Sequence, residues 1–178
     1  MQPLCSTPPA SEPVPEHFTL GGRAFTRLGP LGSGSFGVVF RVSDGSAEYA
    51  LKCAPLASPL ASADSSAAQI DNETRVLRAL AAAGVAGVPR VVAAGMVGGA
   101  HRGFVSTRLG ESLEKIVDRG GGRIDLELAC AVGASVLSTL RACHAAGVVH
   151  RDLKPENICV SGCTLTVPFA RAAFSAAW

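Results

Sequence analysis

The first third of the chain alternates apolar and polar positions in short runs that are separated by glycine turns. Three such runs, over residues 25–28, 38–42 and 49–53, contain many β-branched and aromatic residues. A period of two is typical of strands that are buried on one face, and tight glycine turns join neighbouring antiparallel strands. The pattern therefore predicts an antiparallel meander in this part of the chain.

From residue 70 the apolar positions follow a helical period instead. Ile70, Val76, Leu77 and Leu80 are apolar, and charged residues stand between them. Apolar residues that recur every three or four positions lie on one face of a helix. We therefore expect a helix over residues 70–82.

The later segments repeat the change from strand to helix. Residues 88–92 and 103–107 are short strand candidates, residues 109–119 form a candidate short helix, and a longer helix is expected to begin at Asp125. Strands come first and helices later, which predicts the α+β class. The longer helix is expected to bury a mostly apolar face made of Leu126, Leu128, Ala129, Val132, Val136, Leu137 and Leu140.

Composition along the chain suggests its division into units. Prolines without any apolar period dominate the start, so residues 1–20 are expected to form a disordered tail rich in Pro and Ser. A strand-rich unit over 21–109 follows, with an Ala- and Ser-rich flexible insert over 55–67, and then a partly helical unit over 110–160. Residues 161–178 form a tail of atypical composition.

Bulk charge and one apolar stretch bear on the partners of the chain. The net charge of +2 over 178 residues is too small to favour nucleic acid or an acidic membrane surface. Residues 79–100 are apolar over a length that could span a bilayer, but Pro89 and Arg90 interrupt them and several glycines surround the break. A helix end, a turn and a strand are the better interpretation, so we expect no membrane span here.

The six cysteines stand singly, with no Cys-x-x-Cys pair to suggest a zinc site. An even number of cysteines in a secreted protein would instead suggest disulfides. The first 20 residues, however, lack the basic start and apolar run of a secretory signal. Reduced thiols in a cytoplasmic or nuclear protein are therefore expected.

Residues 31–39 read Leu-Gly-Ser-Gly-Ser-Phe-Gly-Val-Val and form a candidate phosphate-binding loop. Glycines let backbone amides approach phosphate oxygens, which a Cβ atom would prevent. In a dinucleotide-binding fold the same glycine spacing opens a helix, whereas here Val38 and Val39 follow and predict a strand. An ordinary glycine-rich hairpin remains an alternative for this motif taken alone.

A lysine on the third predicted strand is a second candidate. Ala50 and Lys52 share one face of that strand, because side chains alternate across a sheet. A lysine on the inner face can neutralise phosphate charge, provided that an acid pairs with it, and Glu73 on the next helix is the obvious partner. The alternative is a lysine in solvent, which is the usual environment of this residue type.

The most specific motif lies at residues 150–157, which read His-Arg-Asp-Leu-Lys-Pro-Glu-Asn. Phosphoryl transfer needs a carboxylate that orients the hydroxyl, a cation on the moving phosphate and a ligand for Mg²⁺. Asp152, Lys154 and Asn157 supply these three residue types on one short loop. A charged surface loop is the alternative.

From about residue 28 to 160 the chain resembles the eukaryotic protein kinase superfamily. Within it, Gly32 to Gly37 and the run Leu-Gly-Glu-Ser-Leu-Glu at 109–114 are similar to the casein kinase I group. The resemblance implies an antiparallel β N-lobe over 21–109 with one C helix, followed by an incomplete, mainly helical C-lobe that is truncated after the catalytic loop. It also implies ATP and Mg²⁺ as cofactors and a protein substrate, and Lys154 matches the serine/threonine pattern.

The same resemblance implies residue roles. The residues that would surround the nucleotide are Leu31, Gly32, Gly34, Gly37, Val39, Ala50, Lys52, Glu73, Thr107 and Leu109. Ser106 would be the gatekeeper, and Arg108 would complete the hinge with Thr107 and Leu109. Asp152 would be the catalytic base, Lys154 a γ-phosphate contact and Asn157 the Mg²⁺ ligand.

The chain departs from the family after this loop. No Asp follows Asp152, so the carboxylate of the Asp-Phe-Gly motif is missing, and Glu156 is the only acidic residue downstream. The Ala-Pro-Glu motif and the large C-lobe helices that would cover the long helix are not encoded either. We therefore expect weak or no phosphotransfer. Three hypotheses stay open: a kinase by descent in truncated or altered form, a nucleotide-binding pseudokinase or scaffold, and a piece that is completed in trans.

Overall fold

A computed structural model describes residues 13–34, 37–56, 66–161, 164–168 and 173–174 of the chain. The predicted tail over 1–12, the loop tip at residues 35–36, most of the predicted insert and most of the tail after 161 lie outside these ranges. Six strands form one antiparallel sheet, namely β1 (His17–Leu20), β2 (Arg23–Gly34), β3 (Gly37–Ser43), β4 (Glu48–Pro55), β5 (Val91–Val97) and β6 (His101–Thr107). Their order across the sheet is β1-β2-β3-β4-β6-β5.

Three α-helices accompany the sheet, namely α1 (Ser66–Ala82), α2 (Leu113–Arg119) and α3 (Leu126–Ala145). The last two begin at residues whose side chains accept hydrogen bonds from first-turn amides: Ser112 accepts from Lys115 and Asp125 from Leu128. Such caps satisfy amides that have no partner inside the helix and are worth about 1 kcal/mol each. The α+β class and the kinase-like antiparallel N-lobe with one C helix are thus confirmed.

Short strand pairs surround the loop at residues 150–158. Strand β7 (Glu111–Ser112) pairs with β9 (Cys159–Ser161), which in turn pairs with β10 (Thr164–Thr166). On the other side of the loop, β8 (Val148–Val149) pairs with β11 (Ala173–Phe174). The candidate catalytic loop is therefore held at both of its ends by backbone hydrogen bonds.

The apolar core forms two clusters on opposite faces of the large sheet. One cluster lies under β1 and contains Phe18, Phe25 and Leu51. The other cluster contains Leu77 of α1, Phe104 of β6 and Val136 of α3. It therefore joins the strand-rich and the helical parts of the chain. Because this second cluster is continuous, the helices beneath the sheet are fixed relative to it.

The structure corrects the predicted tail over residues 1–20. His17–Leu20 is strand β1, which pairs with β2, and both Phe18 and Leu20 are buried. Gly21 and Gly22 turn the chain with φ of 59° and 77°, as a two-residue hairpin turn requires. The error has a physical reason, because a four-residue alternation is weak beside a proline-rich segment. The other unit boundaries stay predictions.

The strand expected over residues 88–92 lies further along, at β5 (Val91–Val97). Small residues such as Ala93, Ala94 and Gly95 have low strand propensity, so they did not look like a strand in the sequence. Pairing with β6 overrides that propensity, since β5 runs antiparallel to it from Val91 to Val97.

The apolar face predicted for α3 is split into two faces. Val132 and Val136 are buried, but Leu126 and Leu137 are 79% and 68% exposed on the opposite side. Leu128 is 39% exposed, and Ala129 and Leu140 are half-buried. Of the described helices, α3 is the one whose length and composition would allow it to cross a membrane, a property that core helices of water-soluble proteins share.

Candidate active site

A cavity of about 650 Å³ lies between the inner face of the sheet and the catalytic loop. It contains most of the residues that the sequence assigned to a nucleotide, namely Leu31, Val39, Ala50, Lys52, Glu73, Ser106, Arg108, Leu109 and Asn157. Gly32, Gly34, Gly37, Thr107, Asp152 and Lys154 are not part of its wall. The structure therefore brings candidate adenine, phosphate and loop residues to one cavity, although their individual roles stay predictions.

The lysine and the glutamate that the sequence paired do form an ion pair. Lys52 Nζ lies 2.6 Å from Glu73 Oε2, and the two side chains are 17% and 6% exposed. Burial raises the pKa of Glu73, and the neighbouring Lys52 ammonium acts in the opposite direction. The pair forms because Lys52 faces inward from β4 and α1 packs against that strand. It holds a cation at the wall of the cavity.

The hairpin of β2 and β3 is closed by two glycines that face each other, Gly34 and Gly37. Gly37 has a φ of 122°, and a Cβ atom there would collide with the carbonyl oxygen of Cys53. At Gly32 a Cβ atom would meet nothing within 4 Å. The fold therefore requires a glycine at position 37 but not at position 32. A glycine at 32 is explained instead if a ligand approaches the backbone closely there.

The candidate catalytic loop contains a strained residue. Arg151 has a φ of 64°, the one positive φ at a non-glycine residue in the described ranges. Such conformations cost about 1–3 kcal/mol and cluster at functional sites. On one side of it, the Nδ1 atom of buried His150 accepts the backbone N–H of Asp152 at 3.2 Å. This hydrogen bond connects the residues on either side of Arg151 and so stabilises its strained backbone conformation.

Asp152 and Asn157 are joined across the loop. Asn157 Nδ2 donates to the backbone oxygen of Asp152 at 2.8 Å and to its Oδ2 at 3.1 Å. A short 3-10 turn over Pro155–Asn157 brings the two together. Lys154 is half exposed and lies 3.7 Å from Glu156 Oε1. One hydrogen-bonded carboxylate, one amide and one loosely held ammonium therefore lie on the same loop.

The predicted hinge divides into an inner and an outer part. Ser106 is buried, and its side chain, like those of Arg108 and Leu109, belongs to the cavity wall. The backbone N–H of Thr107 donates to the Arg90 carbonyl, and its hydroxyl accepts from the Arg90 N–H. These groups of Thr107 are therefore engaged with the neighbouring segment, and any contact with a ligand would need its carbonyl.

Comparison with known proteins identifies the family. Residues 25–166 match the protein kinase domain. The chain belongs to this family. Its protein kinase relatives include casein kinase I homolog 1 of Schizosaccharomyces pombe, which is 30% identical over 146 residues. Calcium-dependent protein kinase 1 of Arabidopsis thaliana is 28% identical over 155 residues, and calcium-dependent protein kinase 22 of Oryza sativa subsp. japonica is 34% identical over 137 residues.

These alignments cover 81%, 83% and 74% of the chain, but 29%, 24% and 23% of the respective relatives. The chain thus spans less than a third of the length of the curated relatives it matches. Two groups of kinases match at similar identity. The protein kinase family is therefore shown, whereas the similarity does not separate casein kinase I from the calcium-dependent group.

The kinase domain also has cavity residues that the sequence did not reveal. Lys115, Cys159 and Pro168 belong to the wall. Cys159 could have been found from its distance along the chain, since it follows the catalytic loop directly and opens β9. Nothing in the sequence marked Pro168, because the tail in which it lies matched no motif. Burial raises the pKa of the Cys159 thiol, and nearby Lys115 acts in the opposite direction.

The residues of the cavity fit ATP but do not fit the Mg²⁺ of the kinase reaction. Mg²⁺ is usually held by one or two protein carboxylates together with phosphate oxygens. Glu73 is bonded to Lys52, and Asp152 accepts a hydrogen bond from Asn157. The neighbouring Glu156 belongs to the cavity wall and lies 3.7 Å from Lys154. Across the described residues, no three His, Cys, Asp or Glu side chains converge to form a metal site made by the protein alone.

Proposed function

We propose that this protein kinase domain binds ATP in the cavity between the β2–β3 hairpin and the catalytic loop. The observation that carries the proposal is the buried Lys52–Glu73 pair, which faces the same cavity as Asn157. A buried lysine is tolerated when an acid pairs with it, and its remaining donors suit phosphate oxygens. Leu31, Val39 and Ala50 give the apolar contact that an adenine ring needs.

We further propose serine/threonine specificity of the casein kinase I type. Lys154 on the loop and the run at residues 109–114 support this assignment, as does the similarity to casein kinase I homolog 1 of Schizosaccharomyces pombe. ATP would supply the phosphoryl group. Asp152 would orient the acceptor hydroxyl and accept its proton, and Lys154 would contact the transferred phosphoryl group.

Phosphotransfer by the chain of 178 residues is proposed to be weak or absent. The chemical step needs charge neutralisation on the β- and γ-phosphates, which metal ions provide in protein kinases. The two carboxylates on the loop of Asn157 already have partners, because Asp152 accepts a hydrogen bond from Asn157 and Glu156 lies 3.7 Å from Lys154. The same observation favours a second candidate function, a nucleotide-binding pseudokinase or scaffold that acts through protein partners.

Direct titration of ATP tests the binding proposal. Lys52→Met should weaken ATP binding by at least tenfold, because it removes the cation from the cavity wall. Arg78→Met is the matched control, since Arg78 is exposed on α1 and does not belong to the wall. The measurement is isothermal titration calorimetry of folded variants. Equal affinities for both variants and the wild type, or no ATP binding at all, would exclude this cavity as the ATP site.

A phosphotransfer assay separates the two functions. Radiolabelled ATP and peptide pools with only Ser, Thr or Tyr acceptors should give little incorporation. Any incorporation should fall on Ser and Thr and should vanish in Asp152→Ala but persist in Asp118→Ala, an exposed carboxylate on α2. Robust turnover that depends on Asp152 would contradict the weak-activity proposal. ATP binding without turnover would favour the scaffold.

A further inference from the structure

The chain returns to the cavity after the catalytic loop at Pro168. Strands β9 and β10 pair antiparallel after the loop, and the chain then leads to Val167 and Pro168. Val167 is fully buried, and its backbone N–H donates to the Gly87 carbonyl at 2.8 Å. Pro168 follows and belongs to the same cavity wall as Lys52 and Asn157. The wall residue that follows the catalytic loop and the β9–β10 pair is therefore an apolar proline and not a carboxylate.

His150 fixes this proline next to the loop. Its Nδ1 accepts the N–H of Asp152, so the ring proton lies on Nε2 and is donated to the Pro168 carbonyl at 2.7 Å. One neutral imidazole thus links the backbone of Asp152 to the backbone of Pro168.

The cavity wall contains four glutamates, and three of them are paired with a cation. Glu73 is bonded to Lys52, Glu111 is bonded to Arg119, and Glu156 lies 3.7 Å from Lys154. The fourth, Glu114, is exposed in the first turn of α2. Among the described residues no group of metal-ligating side chains forms at the wall. Near Asn157 a divalent ion would find carboxylates that already have partners, since Asp152 accepts from Asn157 and Glu156 lies beside Lys154.

We propose that the cavity binds nucleoside triphosphate without a divalent cation, and that Pro168 is the residue that removes the requirement for the metal. The inference rests on the proposed ATP binding, and it specifies whether the nucleotide binds alone or as its magnesium complex. Neutralisation of the phosphates then falls to the protein's own cations, of which Lys52 lines the cavity and Lys154 lies on the adjacent loop. Free nucleotide is the preferred ligand, and its magnesium complex is not.

The test is the affinity for the fluorescent N-methylanthraniloyl derivative of ATP, measured on the full chain in excess EDTA and in excess MgCl₂ at equal ionic strength. The wild type should bind the probe in EDTA, and Mg²⁺ should leave the affinity unchanged or weaken it. Pro168→Asp should make binding at least tenfold tighter in Mg²⁺ than in EDTA. Pro168→Asn is the matched control, because it removes the ring without adding a charge, and it should respond to Mg²⁺ as the wild type does.

The wild-type comparison decides the inference even if a variant fails to fold. Strengthening of wild-type binding by Mg²⁺ beyond threefold overturns the inference but leaves the proposed ATP binding intact. Absence of binding in both buffers overturns the inference and the proposed function together. A second measurement follows free Mn²⁺ by its paramagnetic resonance signal in the presence of ATP. Addition of wild-type protein should not lower that signal, and a decrease that requires the protein would also overturn the inference.

Discussion

Removal of Lys52 is the most informative single perturbation of this kinase domain. In Lys52→Met the Glu73 carboxylate keeps its buried position on α1 but loses the ammonium that lies 2.6 Å away. Met has about the same length as Lys, so the apolar stem of the side chain is largely replaced. The expected loss of stability therefore comes from the uncompensated charge and not from a cavity.

The magnitude follows from the burial of the pair. Breaking a buried ion pair by removal of one partner costs about 3–5 kcal/mol. Lys52 is 17% exposed and Glu73 6%, so some solvent reaches the pair and we take the lower figure, about 3 kcal/mol. For a chain of this size that is a decrease in melting temperature of roughly 6–12 °C.

The loss should depend on pH. Burial already raises the pKa of Glu73 above its usual 4.5, and removal of Lys52 raises it further, because the attraction that favoured the charged form is gone. A carboxyl whose pKa is raised in the folded state stabilises at low pH, and this contribution is lost as the pH rises through the folded pKa. Lys52→Met should therefore cost more stability at pH 8 than at pH 5, where Glu73 can take up a proton.

Urea denaturation at pH 8 and pH 5 measures both effects. The double variant Lys52→Met/Glu73→Gln should recover most of the loss, because no charge is then left buried. Arg102→Met is the control, since its 2.5 Å pair with Asp71 is largely exposed and should cost under about 1 kcal/mol. A loss below about 1 kcal/mol in Lys52→Met, or an equal loss at both pH values, would refute this account of the pair.

Three further outcomes are expected. Gly37→Ala should lower the unfolding free energy by about 1–3 kcal/mol in urea denaturation, since it adds strain and a backbone collision, whereas Gly32→Ala should change it little; equal effects would contradict the hairpin geometry. Burial lowers the pKa of His150 below 6.5, so wild-type stability should fall as the pH drops below that value, and a His150→Gln variant with the same slope would contradict this origin. Among the cysteines that the structure describes, mass spectrometry after treatment with iodoacetamide should find Cys130 modified first and Cys159 slowly, and ATP should protect Cys159 but not Cys130. Protection of both or of neither would argue against the cavity as the ATP site.

Much of the fold was predictable because local signals and tertiary packing agree. The strand pattern around Val38 and the helical period through Leu77 describe residues that are partly or fully buried where the pattern puts them. The Lys52–Glu73 pair was predictable as well, since a lysine that faces a core needs an acid and Glu73 on the next helix was the obvious partner. For these features the sequence pattern and the final contacts have the same physical cause.

The remaining features depend on contacts between segments that are distant in sequence. Strand β1 forms because Phe18 packs on Phe25 in the cluster that also contains Leu51. No property of residues 17–20 alone reveals this contact. The split of α3 has a similar origin, since Val136 meets the core whereas Leu137 points away from it. Pro168 became a cavity residue only through the hairpin of β9 and β10.

The way in which His150 holds Pro168 explains how a kinase loop can keep its geometry without the metal carboxylate. The imidazole contacts the backbone carbonyl of residue 168 and not its side chain. Any residue type supplies that carbonyl, so the bridge to Asp152 survives a change of side chain at this position. The shape of the loop and the capacity to hold a metal are therefore separable, since one depends on the backbone and the other on a carboxylate. A protein can retain the shape of the loop, together with a paired lysine in the nucleotide cavity, and still have no set of ligands for a metal ion.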